Sequence, residues 1–180
     1  VVMRIIRNSK RENRDMINHL LKFPKNTAGA VMTTEYVRFL ADMTVEEALA
    51  HIRKVAIDKE TIYTCYVTDK ARRLIGTVSA KELLISEVDK KLSEIMEDGV
   101  IYAKTLDDKE EVAGLFDKYD LMALPVVDTE NRLVGIITVD DAIDVIQEEA
   151  TEDIDKMAAI LPSDKSYFKT GVISTFKARI

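Results

Sequence analysis

An acidic stretch near the end of the chain carries the side chains best suited to binding chemistry. Residues 140–155 contain eight acidic residues and no Lys or Arg. Apolar residues recur through this stretch at helical spacing, which predicts a helix from Val139 to about Ile160. The acids that share one sector of about 80° on this helix are Asp141, Asp144, Glu148, Glu152 and Asp155. Like charges three or four residues apart repel one another, so we expect something other than a Lys or Arg of this stretch to offset the repulsion.

Two interpretations of this acidic stripe are open. It is either a solvated acidic face or a divalent-cation site that acids on another domain or subunit complete. Mg²⁺ retains several waters and takes one or two carboxylates, so it requires no closed cage of protein ligands. The sequence does not separate Mg²⁺ from Ca²⁺, although it lacks the Asp-x-Asp-x-Asp-Gly loop that is typical of Ca²⁺ sites.

The other reactive side chains do not form a catalytic set. His19 and His51 have no Cys or His at ligand spacing, and we expect each to have a surface or packing role. Cys65 falls in the middle of a predicted strand and is expected to be a small buried apolar residue. The sequence has no phosphate-binding Gly-rich loop, no nucleophile elbow and no Cys-x-x-Cys pair. We therefore predict that the chain is not an enzyme.

The distribution of charge argues against a nucleic-acid partner. The 180 residues have a net charge of −6, with +5 in residues 1–25, −7 in 26–139, −8 in 140–155 and +4 in 156–180. A predominantly negative surface repels phosphate backbones. The longest apolar runs have seven residues, whereas a membrane-spanning helix requires about 20. With one Cys and no secretory signal, the chain is expected in a reducing cytoplasm.

An internal repeat organises the middle of the chain. Residues 69–79 align with 128–138 at an offset of 59, with four identities. The upstream matches, at an offset of 64, are Met32 with Met96, Glu46 with Glu110, and Glu47 with Glu111. The difference between the offsets indicates a five-residue insertion in the first copy, near Val55. Two copies of one supersecondary unit are therefore predicted, over about 32–90 and 96–150.

Each copy has the periodicity of a β-α-β-β-α unit. Apolar residues at helical spacing follow the N-cap candidates Thr44 and Asp108. β-branched and aromatic runs predict paired strands, at 62–68 and 74–79 in the first copy and 123–127 and 133–139 in the second. Pro125 predicts an edge position or a strand start, because proline cannot donate to a ladder. A helix follows the last strand of each copy, and we expect the two sheets to pack together as a pseudo-twofold pair.

The end of each copy resembles the signature of a cystathionine-β-synthase (CBS) domain. Residues 76–82 and 135–141 follow the pattern Gly-apolar-x-Ser/Thr-x-x-Asp, with Glu82 in place of the first Asp. Two copies imply a Bateman module, an α/β (α+β) fold of tandem CBS domains flanked by an N-terminal helix and a long C-terminal connecting helix. Four segments are also similar to the cytosolic part of bacterial MgtE-type magnesium transporters: 26–33, 43–49, 60–63 and 149–154.

This resemblance implies an order of domains along nearly the whole chain. The implied parts are the last helix of an N-terminal helical domain (1–25), CBS domain 1 (26–90), CBS domain 2 (91–141), a connecting plug helix (142–161) and a basic juxtamembrane tail (162–180). The implied partners are the protein's own N-terminal domain, its own transmembrane pore domain and a second copy of the chain, which would make a homodimer. The expected location is the cytoplasmic face of the bacterial cell membrane.

The resemblance further implies a sensor in which Mg²⁺ bridges acidic surfaces and holds a pore closed. The residues to which it assigns sensing are Asp120, Asp141, Asp144, Glu149, Glu152, Asp153 and Glu110. CBS pairs also bind adenine nucleotides, so ATP or AMP is a second expected ligand, and a nucleotide sensor in another host protein is the alternative function. Ser79 and Thr138 would then hold phosphate, and Glu82 and Asp141 ribose. Helix capping is the other role open to Ser79 and Thr138.

Overall fold

The computed structural model describes residues 23–157, apart from the side chain of Asp155. The implied N-terminal helix (1–25), apart from residues 23–25, and the basic tail at 162–180 lie outside the described residues. The elements are α1 (Ala28–Val31), β1 (Arg38–Leu40), α2 (Val45–Val55), β2 (Thr64–Thr68), β3 (Leu74–Ser79), α3 (Ala80–Ile85), α4 (Leu92–Ile95), β4 (Ala103–Lys104), α5 (Lys109–Tyr119), β5 (Ala123–Val127), β6 (Leu133–Thr138) and α6 (Val139–Met157). The predicted β-α-β-β-α unit thus occurs twice, and the α/β class is confirmed.

Side-chain caps begin the second helix of the first copy and its counterpart in the second. Glu47 donates its backbone N–H to Thr44 Oγ1 at 3.2 Å, and the Thr44 N–H donates to Glu47 Oε2 at 2.9 Å, which completes a capping box before α2. At the start of α5, Asp108 Oδ1 accepts from the Glu110 N–H at 2.8 Å. These caps satisfy N–H groups that have no partner within the helix. Both predicted N-caps are confirmed.

The second strand of each copy lies at the centre of a three-stranded sheet. The strand orders are β1-β2-β3 and β4-β5-β6, with the first pair parallel and the second antiparallel in each sheet. Pro125 lies in the central strand β5, so the predicted edge position or strand start is wrong. The reason is the shortness of β4, which pairs only with Val126 and Val127. Pro125 therefore has a strand neighbour on the β6 side alone, and β4 loses no hydrogen bond to it.

The two sheets pack against each other through a buried cluster. This cluster contains Tyr66 of β2, Ala123 of β5, and Leu133 and Ile136 of β6, all of them buried. Hydrogen bonds between the copies also follow the repeat: the Leu74 N–H donates to the Asn131 carbonyl and the Leu133 N–H to the Arg72 carbonyl, both at 3.0 Å. The predicted packing of the two sheets together as a pseudo-twofold pair is confirmed.

Each copy also inserts a methionine into the sheet of the other. Met32, before the first sheet, packs on Gly135 of β6, and Met96, before the second sheet, packs on Gly76 of β3. Next to each methionine the backbone pairs with the same strand, through the bridges Thr33↔Ile136 and Thr77↔Glu97. The segment before each sheet, which contains Met32 and Thr33 in one copy and Met96 and Glu97 in the other, therefore pairs with the sheet of the other copy. Neither sheet is complete without these exchanged leading segments.

The five-residue insertion predicted in the first copy has a structural counterpart. A 3₁₀ turn, Ala56–Asp58, follows α2 and carries Ile57, which is 96% exposed. In the second copy α5 ends directly at Asp120, which adopts a left-handed conformation with φ 51°. The extra residues thus lie between the helix and the central strand of the first copy, and they leave the sheet register intact.

Candidate functional site

The long helix α6 rests on the second copy through its first half. Ala142 and Val145 are buried in the core of that copy. The apolar stripe that predicted this helix faces solvent and not the core of the second copy. The pattern revealed the helical period but not which side of the helix packs on that core. The exposed members of the stripe are Ile143, Ile146, Ala150, Ile154 and Met157. The helix is confirmed as far as Met157, and its predicted continuation to Ile160 lies outside the described residues.

Lys109 at the first position of α5 offsets part of the acidic stripe. Its Nζ lies 3.1 Å from Glu148 Oε2 and 3.2 Å from Glu149 Oε1. The side chains of Lys109 and Glu149 are 12% and 20% exposed, whereas that of Glu148 is 72% exposed. Residues 140–155 contain no Lys or Arg, so the positive charge beside this turn of α6 comes from another helix, which the local sequence does not reveal.

The ion pairs also determine the protonation of Lys109. Burial lowers the pKa of its ammonium, but hydrogen bonds and charge attraction from Glu148 and Glu149 raise it by more, so the pKa lies above its usual value. Lys109 consequently stays charged at neutral pH. A fixed positive charge bridges α5 and α6 at the point where the latter leaves the second copy.

The other predicted metal ligands lie apart from this bridge. Glu152 and Asp153 pair with Lys156 on the same helix, at 3.1 and 3.7 Å. Asp144 is exposed on α6, and Glu110 is exposed in the first turn of α5. Neither forms an ion pair with a residue in the described part of the chain. Asp120 is exposed at the left-handed end of α5.

The donor set of α6 fits Mg²⁺ by type but does not enclose it. Carboxylate oxygens are the hard ligands that Mg²⁺ prefers, one or two at a time among waters. Within residues 23–157, no three His, Cys, Asp or Glu side chains are grouped so that they could hold a metal ion. Any cation on these acids therefore requires waters or further ligands from outside the described residues.

The predicted nucleotide ligands of the first copy cap a helix. The Glu82 N–H donates to Ser79 Oγ at 3.1 Å, and the Ser79 N–H donates to Glu82 Oε2 at 2.7 Å. This capping box starts α3. Helix capping, the alternative role considered for Ser79, is therefore present, and it engages one oxygen of Glu82 as well.

The corresponding residues of the second copy are arranged differently. Thr138 Oγ1 donates to Asp141 Oδ2 at 2.6 Å, and the Thr138 N–H donates to the same oxygen at 3.4 Å. The Thr138 hydroxyl thus donates its hydrogen bond to the Asp141 carboxylate, whereas Ser79 Oγ accepts from a backbone N–H. Thr138 is 6% exposed and Asp141 is half-buried. The second oxygen of Asp141 is free of hydrogen bonds from described residues.

A pocket of about 340 Å³ opens between the two copies, next to these caps. Thr64 and Ala123 line it, and their strand partners are Ser79 and Thr138, respectively. The remaining lining residues are Thr77, Glu97, Asp98, Gly99, Val100, Ile101, Asp120, Leu121 and Met122. Only Asp120 among these residues was predicted from the sequence to be a site residue. The others lie in strands β2, β3 and β5 and in connections of the second copy, which come together only in the tertiary structure.

The repeat, the fold and the capped helix starts together identify the family. The sequence profile of the CBS domain matches residues 28–88 and 92–148. This chain belongs to the CBS domain family. The two copies are hereafter CBS1 and CBS2, and the predicted Bateman-type pair of CBS domains is confirmed. No helix in the described range 23–157 is long and apolar enough to cross a membrane.

The CBS pair is similar to parts of magnesium transporters. The magnesium transporter MgtE of Thermus thermophilus is 44% identical over 167 residues, which are 93% of this chain and 37% of that protein. The cytosolic domain of the Mg²⁺ channel MgtE, crystallised in complex with ATP, matches with a TM-score of 0.77 and 43% identity over 79% of this chain and 58% of that one. The soluble part of a magnesium transporter matches with a TM-score of 0.78 and 39% identity over 81% and 57%. The predicted resemblance to MgtE-type proteins is confirmed, and the chain spans little more than a third of this MgtE relative.

Proposed function

We propose that CBS1, CBS2 and α6 form the Mg²⁺-responsive regulatory part of a magnesium transporter. It has no catalytic role and lies at the cytoplasmic face of the bacterial cell membrane. The single observation that carries the proposal is the exposed, acid-rich α6 at the end of a CBS pair whose relatives are MgtE magnesium transporters. The plug helix (142–161), the pore domain and the N-terminal helical domain belong to this proposal.

The mechanism follows from the charges on α6. Asp144 has no cation within the described residues, and the ion pairs of Glu152 and Asp153 are exposed and therefore weak. These carboxylates repel one another along α6, and they also repel acids on a neighbouring domain that faces them, until a divalent cation lies between them. Mg²⁺ supplies that bridge, directly or through its waters. Moving a gate from 1:99 to 99:1 requires about 5.5 kcal/mol, which several weak sites share.

Thermal unfolding in a Mg²⁺ titration tests this proposal. With MgCl₂ raised through the millimolar range and ionic strength held constant with KCl, we expect the melting temperature of the wild-type chain to rise by about 3–6 °C. Asp144→Asn should reduce that rise by about half. Glu46→Gln, an exposed acid in CBS1 that matches Glu110 in the repeat, controls for the loss of one charge. A wild type that does not respond to Mg²⁺ contradicts the proposal.

A second candidate function is adenine-nucleotide sensing. The pocket between CBS1 and CBS2 favours it, and an MgtE cytosolic domain with 43% identity was crystallised with ATP. The free oxygen of Asp141 suits a ribose hydroxyl, and Thr138 ends the strand whose partner Ala123 lines the pocket. The acids Glu97, Asp98 and Asp120 on its wall disfavour phosphate, so we assign the pocket to the nucleoside end. This function is compatible with Mg²⁺ sensing or with another host protein.

Calorimetry with ATP and AMP distinguishes the predicted nucleotide ligands of CBS2 from those of CBS1. Asp141→Asn should weaken nucleotide binding at least tenfold, because a carboxylate that accepts from a ribose hydroxyl is lost. Glu82→Gln keeps the capping box of CBS1 and should leave the affinity within twofold. Equal losses in both variants would contradict the assignment to CBS2, and no heat with either nucleotide would exclude this second function.

The repeat also supports the proposed homodimer. Exposed apolar residues occur at matched positions, Tyr63 with Met122 and Leu84 with Ile143. The carbonyls of Tyr63 and Met122 accept from the first N–H of α3 and α6, respectively, so each pair has the same local setting. A surface that is itself pseudo-twofold suits pairing with a second copy about a twofold axis.

A further inference from the structure

Lys109 occupies a position that its own helix disfavours. It is the first residue of α5, where the helix dipole favours negative charge. Its side chain is nevertheless only 12% exposed. The local acids, Glu110 and Glu111, form no ion pair with it among the described contacts. The carboxylates of Glu148 and Glu149 on α6 therefore explain why a lysine is mostly buried at this position.

The bridge differs from the other ion pairs of α6. Lys156 pairs with acids one turn away on the same helix and is 57% exposed, so solvent and salt screen it. Lys109 instead connects two helices, and its partner Glu149 is only 20% exposed. Because less solvent reaches this pair, its charges are screened less. A second cation can approach Glu149 only against the charge of Lys109.

We propose that Lys109 is an internal counter-cation of α6, which competes with a divalent cation for the carboxylate of Glu149 and raises the concentration at which that carboxylate accepts one. This inference rests on the proposed Mg²⁺ response and concerns its threshold. Binding at Glu149 requires the ammonium to leave, and its departure breaks the bridge between α5 and α6. Local cation binding and the attachment of α6 to CBS2 are thereby coupled.

The test uses the thermal titration of the full 180-residue chain. It compares the midpoint, which is the MgCl₂ concentration that gives half of the full rise in melting temperature. Lys109→Gln should lower the midpoint about three- to tenfold, which is the range expected when a pair of this kind is removed. Lys109→Arg keeps the charge and should stay within twofold of wild type. Lys118→Gln removes one charge from the other end of α5, where Lys118 lies over the Tyr119 ring at 4.9 Å, and it should also stay within twofold.

A double variant isolates the carboxylate involved. In the Glu149→Gln background, Lys109→Gln should no longer lower the midpoint, since the ligand for which it competes is absent. Should Lys109→Gln fail to fold by circular dichroism, Lys109→Met retains the aliphatic stem and replaces it in every arm.

The possible outcomes distinguish a failure of this inference from a failure of the proposed Mg²⁺ response. Equal midpoints for wild type and Lys109→Gln, with both responding to Mg²⁺, overturn the role of Lys109 and leave the Mg²⁺ response in place. An equal shift in Lys118→Gln also overturns it, because the effect is then one of net charge. No response in any variant, including wild type, overturns the proposed function and this inference with it.

Discussion

Cys65 shows how burial decides the chemistry of one residue. The thiol is fully buried in β2, and its Sγ donates to the Ile62 carbonyl at 3.5 Å. Burial raises the pKa of the Cys65 thiol from its ordinary 9.0 to about 12. Since the thiolate is the nucleophile, this cysteine is inert near neutral pH. The buried apolar role predicted from the sequence is confirmed, and His51 likewise packs against the Phe39 ring, with centroids 5.9 Å apart.

Alkylation with iodoacetamide tests this account of Cys65. At pH 8 the folded chain should react at least about a hundredfold more slowly than the chain unfolded in guanidinium, because its thiolate fraction is far smaller. The raised pKa also makes the stability of the fold depend on pH. Between pH 9.0 and about 12 the unfolded thiol ionises while the folded one does not, so the free energy of unfolding falls as the pH rises through this range. Cys65→Ser should remove that part of the loss, and rapid labelling of the native chain would contradict the prediction.

The close contacts of Gly135 and Gly76 determine how the elements of CBS1 and CBS2 fit together. A Cβ at Gly135 would lie 2.6 Å from Met32 Sδ and 2.9 Å from the Thr33 carbonyl oxygen, and Gly76 has the matching contacts with Met96 and Glu97. Because these glycines have no side chain, the exchanged leading segments can pack directly against the strands. The Gly of the CBS signature is thus explained by packing between copies.

Paired alanine substitutions test this fit. Gly135→Ala should destabilise the chain by about 1–3 kcal/mol, because the Thr33 backbone must move away from the strand. Gly114→Ala in α5 meets no atom within 4 Å and should stabilise by about 0.5–1 kcal/mol, since alanine favours a helix interior over glycine. Urea unfolding measures both changes in free energy. A neutral Gly135→Ala would show that the copies adjust without strain.

For the whole molecule, the arrangement of exposed apolar residues is the feature on which the proposed homodimer depends. Leu84 and Ile143 are 74% and 47% exposed on equivalent helices of CBS1 and CBS2. Large apolar residues exposed at matched positions of both domains suit an association site. Ile57 is even more exposed, but it lies in the insertion and has no counterpart in CBS2.

Sedimentation equilibrium tests the homodimer. The wild-type chain should sediment as a dimer at micromolar concentration, and Leu84→Asp should weaken the association about thirtyfold, as expected for a buried apolar anchor. Ile57→Asp is the matched control, with the same charge change outside the repeat-related surface, and it should leave the dimer intact. A monomeric wild type, or equal effects of both substitutions, would contradict this arrangement.

Local patterns were enough to predict much of the fold. The offset repeat indicated two copies, and the caps at Thr44 and Asp108 and the strands at 74–79 and 123–127 are confirmed. These features depend on residues close in sequence, where hydrogen bonds and periodicity decide structure. The CBS signature was recognisable for the same reason.

Only the tertiary structure determined the surroundings of α6 and the pocket. The acids of α6 were visible in the sequence, but their counter-cation Lys109 is 39 positions from Glu148 and reaches it through helix packing. The exposed stripe on α6 and the central place of Pro125 depend on which elements lie alongside. The pocket depends on strand residues of CBS1 meeting connections of CBS2. Charge pairing and burial act through space, so chain distance alone does not predict them.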